Sequence, residues 1–235
     1  MGTGNVAWHL AHGLNDTDVS IWGRNTDKAK SIAQSANIRM TSTVEDCDNL
    51  TVFFAVNDDS IQDLSTRFSF VDATAVHLSG SLSINALKAK KKMVMWPVSS
   101  LVTGESQDLT AFPWVIQGNY SDHLPSFSFF SVNDDLSRRR FHLAATVLNN
   151  FIHQMGVMVQ DVIEDAPDGL YNTLLHQTVQ RMMRNDAETL QTGPAKRNDR
   201  ESIANHLELL HNHNDLKDVY SLFTTIIKTR YGHEL

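Results

Sequence analysis

The first half of the chain alternates short apolar runs with amphipathic stretches, a pattern typical of parallel strands joined by helices. The apolar runs predict strands over residues 19–22, 50–56, 75–78, 93–96 and 114–117. The amphipathic stretches predict helices over residues 5–14, 26–35 and 84–90, and another helix that begins after Asp58.

After about Ser137 the apolar residues recur three and four positions apart, as in Leu143, Val147 and Phe151, which indicates helices. Three more helices are predicted over residues 169–189, 199–210 and 214–230. The pattern therefore divides the chain into an α/β domain at residues 1–132 and an all-helical domain at residues 133–235.

A glycine-rich turn opens the chain. Residues 2–7 read GTGNVA, the GxGxxA spacing that places a dinucleotide pyrophosphate at a helix N-terminus. The candidate cofactor-binding residues here are Gly2, Thr3, Gly4, Asn5 and Val6. The motif also calls for a strand before its first glycine, where only Met1 stands. Three explanations remain open: a truncated start, a mis-assigned start, or a rearranged sheet.

The first predicted strand ends about twenty residues beyond this turn, in Gly23, Arg24 and Asn25. NAD-binding proteins place an acidic residue here for the ribose hydroxyls, whereas a guanidinium can hold the 2′-phosphate of NADP. Asn25 can donate to the same phosphate, and the alternative for Arg24 is an exposed surface arginine. We therefore predict NADP (NADPH) as the cofactor and a Rossmann-like, doubly wound, mostly parallel sheet that lacks its first strand, followed by an all-α domain.

The ends of two later strands supply further candidates, because ligands bind at the carboxyl ends of parallel strands. Ala55, Val56 and Asn57 should border the cofactor, while Asp58 and Asp59 are interpreted as caps of the following helix. His77 and Ser79 follow on the next strand as candidate catalytic residues that donate to a substrate carbonyl or carry its proton. Alternatively, Ser79 shapes a turn and caps a helix.

Charge and composition argue against several classes of ligand. A net charge of -7 over 235 residues argues against a general affinity for nucleic acids or anionic membranes. The single cysteine, Cys47, and the absence of an HExxH spacing argue against a metal site. No signal peptide or long apolar run is present, so a cytoplasmic location is expected.

Several longer motifs resemble a known group of proteins. The segments GTGNVAWHLA, AVNDDSI, HLSGS, WPVSSL, HLAATVLNNFIHQM and QTGPAKRNDRESIANHLELL are similar to bacterial Rossmann-like proteins that are usually labelled NADP-dependent oxidoreductases and carry a helical C-terminal domain of unknown function. The layout is more distantly similar to pyrroline-5-carboxylate reductases, ketopantoate reductases and β-hydroxyacid dehydrogenases. The resemblance implies a nicotinamide cofactor in the first domain and pairing through the helical domain.

The helical domain contributes its own candidates. His153 is a candidate proton donor, and Asn149 shares a helical face with it four positions away, with Asn150 beside them. These amides serve either a substrate or a dimer interface. Lys196 and Arg197 follow a Gly-Pro turn and either bind an anionic substrate or form a solvated basic turn.

The resulting hypothesis is an NADP-dependent oxidoreductase that acts on a small carbonyl or imine and forms a homodimer through its helical domain. The alternative is a nucleotide-sensing or scaffold protein without turnover, because a fold does not confer activity.

Overall fold

A computed structural model describes residues 1–14, 18–42, 47, 49–68, 72–105, 107–118, 127–163 and 166–232. The chain forms two compact units, Met1–Asn149 and Asn150–Leu235. The first is an α/β unit and the second is helical. Within the described residues, every helix is too short or too polar to cross a lipid bilayer.

The α/β unit contains two groups of strands. The strands are β1 (Ser20–Ile21), β2 (Arg39–Met40), β3 (Thr51–Phe54), β4 (Thr74–His77), β5 (Lys91–Pro97), β6 (Trp114–Gly118) and β7 (Phe129–Val132). β1 and β2 pair in parallel, and the other five form a sheet in the order β3-β4-β5-β6-β7. Only the β5–β6 pairing is antiparallel among these strands. The predicted doubly wound, mostly parallel sheet is confirmed.

Helices cover both faces of this sheet. The helices of the unit are α1 (Asn5–Gly13), α2 (Thr26–Ala36), α3 (Asp58–Arg67) and α4 (Asp135–Thr146). One core packs Leu10 of α1 against Val76 of β4, and the other packs Ile61 of α3 near Ala75 of the same strand. Successive residues of β4 thus face opposite cores, which explains why the central strands are apolar throughout.

Met1 and Gly2 lie between β1 and β3. The Met1 amino group donates to the Phe53 carbonyl at 2.6 Å, and the Ala55 amide donates to the Met1 carbonyl at 2.8 Å. On the other side, the Gly2 amide donates to the Trp22 carbonyl at 2.9 Å. These two residues therefore occupy the place of the strand that precedes the glycine turn in a doubly wound sheet, and they join the two groups of strands at the edge where ligands bind.

The division between the units falls later in the chain than the predicted boundary between residues 132 and 133. The reason is α4, which packs on the sheet through a fully buried Arg138 and through His142. The ring centres of His142 and Trp96 are 5.2 Å apart. Sequence periodicity groups α4 with the helices that follow it, whereas its contacts join it to the sheet. A π-helical turn, Val147–Phe151, spans the division.

The helical unit contains five α-helices in its described part. They are α5 (Ile152–Gln160), α6 (Asn172–Met182), α7 (Pro194–Arg197), α8 (Arg200–Leu209) and α9 (Asn214–Arg230). The sequence predicts α8 and α9 closely, but the predicted helix at 169–189 is shorter because residues 187–190 form a separate 3-10 turn. Among the described residues 150–232, only Ala195 and Leu210 are buried.

Candidate functional site

The carboxyl ends of β1, β3 and β4 surround a cavity of about 970 Å³ in the α/β unit. All ten residues predicted to bind the cofactor line this cavity: Gly2, Thr3, Gly4, Asn5, Val6, Arg24, Asn25, Ala55, Val56 and Asn57. Ser79 lines it as well, whereas His77 does not. Sequence reasoning did not select the other lining residues, which include Trp22, Lys28, Asp58 and Ser60.

The glycine turn fits the close approach of a phosphate. Gly2 has a φ of +126°, and a Cβ there would lie 2.0 Å from the Ala55 carbonyl oxygen, so only glycine fits against β3. Gly4 precedes α1 with an ordinary φ of −91°, and a Cβ there would meet no atom within 4 Å. The open space at Gly4, beside the amides of a helix N-terminus, is the arrangement in which a pyrophosphate is bound.

The side chain of Asn5 forms hydrogen bonds with a loop that follows β5. Its amide nitrogen donates to the Leu101 carbonyl at 3.3 Å, and its carbonyl oxygen accepts a hydrogen bond from Thr103 Oγ1. His9, one turn further along α1, pairs with the Val102 carbonyl at 3.0 Å. Asn5 therefore fixes this loop beside the start of α1.

Basic side chains lie at the end of the cavity that follows β1. Arg24 and Lys28 both line it, and Asn25 caps α2 by accepting from the Lys28 amide at 2.9 Å. Lys28 was missed because an exposed lysine in the first turn of a helix carries no special signal. Its place in the first turn of the helix that begins directly after Arg24 and Asn25 is the feature that could have identified it.

Asp58, Ser79 and Ser81 form a hydrogen-bonded cluster at the other end. Ser79 Oγ donates to Asp58 Oδ2 at 2.6 Å, and Ser81 Oγ donates to the same oxygen at 3.3 Å. The amides of Ser81 and Leu82 donate to Ser79 Oγ at 3.2 and 2.9 Å, so Ser79 does shape a turn. The predicted capping role of Asp58 and Asp59 is wrong. Asn57 is the N-cap residue, and both acids lie in the first turn.

His77 is buried within β4 and does not reach the cavity. Its Nδ1 accepts from the Ser79 amide at 3.3 Å. Burial, together with the charge of Arg138, lowers the pKa of His77 to about 4, so the imidazole is neutral at neutral pH. The ring of His77 is thus buried, neutral and outside the cavity, and the catalytic role suggested by the sequence stays a prediction.

Arg138, which sequence reasoning missed, organises the loop that carries Ser79. Its guanidinium donates to the carbonyls of Gly80 and Leu82 and to the side chains of Gln117 and Asp135. Burial lowers the pKa of Arg138, and the pairing with Asp135 opposes that shift. A buried arginine with four acceptors is a structural anchor, and nothing in the sequence around position 138 marks it.

The predicted residues of the second half are divided between the two units. Asn149 ends the first unit, and Asn150 and the exposed His153 belong to the helical unit. Asn149 and Asn150 lie in the π-helical turn, whose hydrogen bonds span five residues rather than four. The spacing rule that placed Asn149 and His153 on one helical face therefore does not apply here.

Lys196 and Arg197 have partners within the helical unit. Lys196 Nζ donates to the Gln191 carbonyl at 2.7 Å and lies 4.9 Å from the centre of the Tyr231 ring. Arg197 lies 3.8 Å from Asp199, which caps α8 by accepting from the Ser202 amide at 3.1 Å. These contacts give both basic residues a local structural role, and substrate binding by them remains a prediction.

Metal ligands are not grouped in the described part of the chain. No cluster of three or more His, Cys, Asp or Glu side chains there is placed to hold an ion.

The fold and the glycine turn together define a class: an α/β unit of the Rossmann type, followed by a helical unit. Within this class, residues 128–227 match the model of DUF2520, a domain of unknown function. No curated protein matches the chain. The resemblance stated from the sequence is confirmed by this match and by the solved structures that the chain resembles.

Three solved structures illustrate the similarity. A Bacteroides fragilis protein provisionally named an NADP oxidoreductase is 22% identical with a TM-score of 0.78, over 97% of this chain and 96% of that one. An imine reductase from Bacillus cereus is 12% identical with a TM-score of 0.59, over 99% and 92%. A pyrroline-5-carboxylate reductase from Coxiella burnetii is 14% identical with a TM-score of 0.53, over 100% and 97%. At these identities the similarity establishes the fold.

Proposed function

We propose that the protein is an NADP-dependent oxidoreductase that transfers a hydride between nicotinamide and a small carbonyl or imine compound. The observation that carries the proposal is the single cavity that joins the glycine turn, with open space at Gly4, to the basic pair Arg24 and Lys28. A dinucleotide with an additional phosphate matches this combination of donors. The names of the structural neighbours agree with a nicotinamide-dependent reaction.

The residues of this chain bind and orient the cofactor, while the nicotinamide ring supplies the hydride when bound. The amides at the start of α1 accept the pyrophosphate, and Arg24 and Lys28 hold the 2′-phosphate. Ala55, Val56 and Leu78 provide apolar and backbone surface beside the carboxyl ends of β3 and β4. A cytoplasmic location remains a prediction from the sequence.

A thermal-shift titration with NADPH tests the proposal, because a ligand that binds the folded state raises its stability. We expect NADPH to raise the melting temperature of the wild type. Gly4→Ala should weaken NADPH binding about tenfold or more, because its Cβ would occupy the space through which a phosphate approaches the backbone. Without ligand, Gly4→Ala should melt close to the wild type, since its Cβ meets no atom within 4 Å.

Gly156→Ala is the matched control, because a Cβ at Gly156 also meets no atom within 4 Å and the residue lies on α5, far from the glycine turn in sequence. Its NADPH affinity should equal that of the wild type. An absence of any NADPH shift in the wild type would reject the proposal. Equal affinities of Gly4→Ala and the wild type would reject the assignment of the glycine turn to the pyrophosphate.

We also propose that the helical unit pairs with a second copy of itself. Its helices expose large apolar side chains, including Leu175 at 60% and Met183 at 74%. Leu174, Val179 and Met182 continue this surface along α6, and contiguous apolar surface of this kind marks an interaction site. A second copy is the partner we favour, because most soluble oligomers are symmetric homo-oligomers and the family resemblance of the sequence implies pairing through this domain.

Light scattering after size exclusion tests the pairing. We expect the wild type to have twice the chain mass of 26.4 kDa, and Leu175→Glu combined with Val179→Glu to have the mass of one chain. Gln177→Glu, on the opposite face of α6, should remain paired. A wild type with the mass of one chain, or a double variant that stays paired, would contradict the proposal.

A further inference from the structure

The cavity carries opposite charges at its two ends. Arg24 and Lys28 line the end that follows β1, and Asp58 lines the end that follows β3. These three are the ionisable side chains among the described lining residues. Phosphates are attracted to the basic end and repelled by a carboxylate, so this polarity orients an asymmetric ligand with its phosphates away from Asp58.

The two carboxylate oxygens of Asp58 differ in their hydrogen bonding. Oδ2 accepts from Ser79 Oγ at 2.6 Å and from Ser81 Oγ at 3.3 Å. Among the described residues, no donor lies within hydrogen-bond distance of Oδ1. A half-buried carboxylate on the wall of a cavity, with one oxygen held and the other open, is suited to a ligand that presents a hydrogen-bond donor.

Ser79 has little capacity left for a ligand. Its hydroxyl proton is directed to Asp58, and its oxygen already accepts from the amides of Leu82 and Ser81. A hydroxyl has one donor and two acceptor positions, and all three are in use. Ser79 therefore acts through Asp58, and it is a positioning residue in place of the proton donor that the sequence suggested.

We propose that Asp58 binds the hydroxyl groups of the ribose on the nicotinamide side of the cofactor, with its carboxylate positioned by Ser79 and Ser81. This inference rests on the proposed function. The end of β3 lies one strand spacing, about 4.8 Å, from Gly2 along the edge of the sheet. The ribose is the group next to the pyrophosphate, and its hydroxyls are the donors that a carboxylate accepts in dinucleotide sites.

Binding of three ligands by calorimetry tests the proposal without a substrate. Adenosine 2′,5′-bisphosphate lacks the second ribose and the nicotinamide, 2′-phospho-ADP-ribose lacks only the nicotinamide, and NADP⁺ contains both. We expect Asp58→Ala to weaken NADP⁺ and 2′-phospho-ADP-ribose about tenfold or more and to leave the bisphosphate unchanged. Ser79→Ala should fall between the wild type and Asp58→Ala for the same two ligands.

Asp59→Ala is the matched control, because Asp59 lies in the same first turn of α3 but is exposed and does not line the cavity. It should bind all three ligands as the wild type does. Asp58→Asn keeps the side-chain shape and removes the charge, so it replaces the alanine variant if that variant does not fold. It should weaken the same two ligands.

The outcomes separate this inference from the proposed function. A wild type that binds none of the three ligands would reject the proposed function. A wild type that binds them, with equal affinities for Asp58→Ala and Asp59→Ala, would overturn the role of Asp58 and leave the proposed function standing. An effect on NADP⁺ without one on 2′-phospho-ADP-ribose would also overturn it, because Asp58 would then contact the nicotinamide itself.

Discussion

Replacing Arg138 with methionine is expected to lower the free energy of unfolding by about 3–5 kcal/mol, the usual cost of removing one partner of a buried ion pair. The side chain is fully buried, and it bonds Asp135 at 3.1 Å and the Gly80 carbonyl at 3.3 Å. Methionine fills a similar volume but leaves these acceptors, together with the Leu82 carbonyl and Gln117, without the donor they have now. Urea denaturation followed by circular dichroism gives the free energy.

Arg139→Met is the control for this experiment. Arg139 is the next residue on α4, but it is exposed, and its Nε donates to the Ser81 carbonyl at 2.8 Å. We expect its replacement to change the free energy of unfolding by less than about 1 kcal/mol. Similar losses for the two variants would show that the buried contacts of Arg138 contribute no more than a surface contact.

The loop anchored by Arg138 follows β4 and contains Ser79 and Ser81, the two hydroxyls that hold Asp58. Arg138, which lies on α4, therefore affects the lining of the cavity through the position of this loop. The stability of α4 on the sheet and the geometry at the acidic end of the cavity depend on the same side chain. A fully buried arginine charge is costly unless its acceptors are in place, and the four acceptors around Arg138 meet that need.

The sequence predicted the parts of the fold that local pattern determines. All five predicted strands are present, and those at the centre of the five-stranded sheet are recognisable because buried strands are apolar along their length. β2 has only two residues, and β7 exposes Phe129 and Phe130, so neither has the pattern of a buried strand. The predicted helix at 84–90 is reduced to the 3-10 turn Ile84–Ala86, where the Ile84 amide bonds Asp135 from a distant part of the chain.

In the candidate site, too, the positions set by local pattern were predicted and the side-chain contacts between distant residues were not. The ten predicted cofactor residues lie at strand ends and in the glycine turn, and the topology of the sheet brings such positions together. The pairing of Asp58 with Ser79 joins residues 21 positions apart, and the contacts of Arg138 with Gly80 span 58 positions. Side-chain contacts of this kind depend on packing in three dimensions, which periodicity and spacing do not encode.

The choice between the two nicotinamide cofactors depends on Arg24. We expect Arg24→Ala to weaken NADPH binding by about 1.5–3 kcal/mol, roughly 10–150-fold, because a hydrogen-bonded charge pair with the 2′-phosphate is lost. NADH lacks that phosphate, so its affinity should change little. Lys28 lines the same end of the cavity, and Lys28→Ala should weaken NADPH in the same direction by a smaller factor.

Arg39→Ala serves as the matched control for Arg24→Ala, because Arg39 is an exposed arginine paired with Asp18 and does not line this cavity. Its replacement should leave the affinities for both cofactors unchanged in a fluorescence titration. Equal losses of NADPH and NADH in Arg24→Ala would assign Arg24 to the shape of the loop after β1 instead of to the phosphate. A selective loss of NADPH in Arg24→Ala would place the 2′-phosphate at the end of the cavity that follows β1. An Asp58 effect confined to ligands that carry the second ribose would place that ribose at the end that follows β3. Together the two results would establish the direction in which the dinucleotide lies along the edge of the sheet.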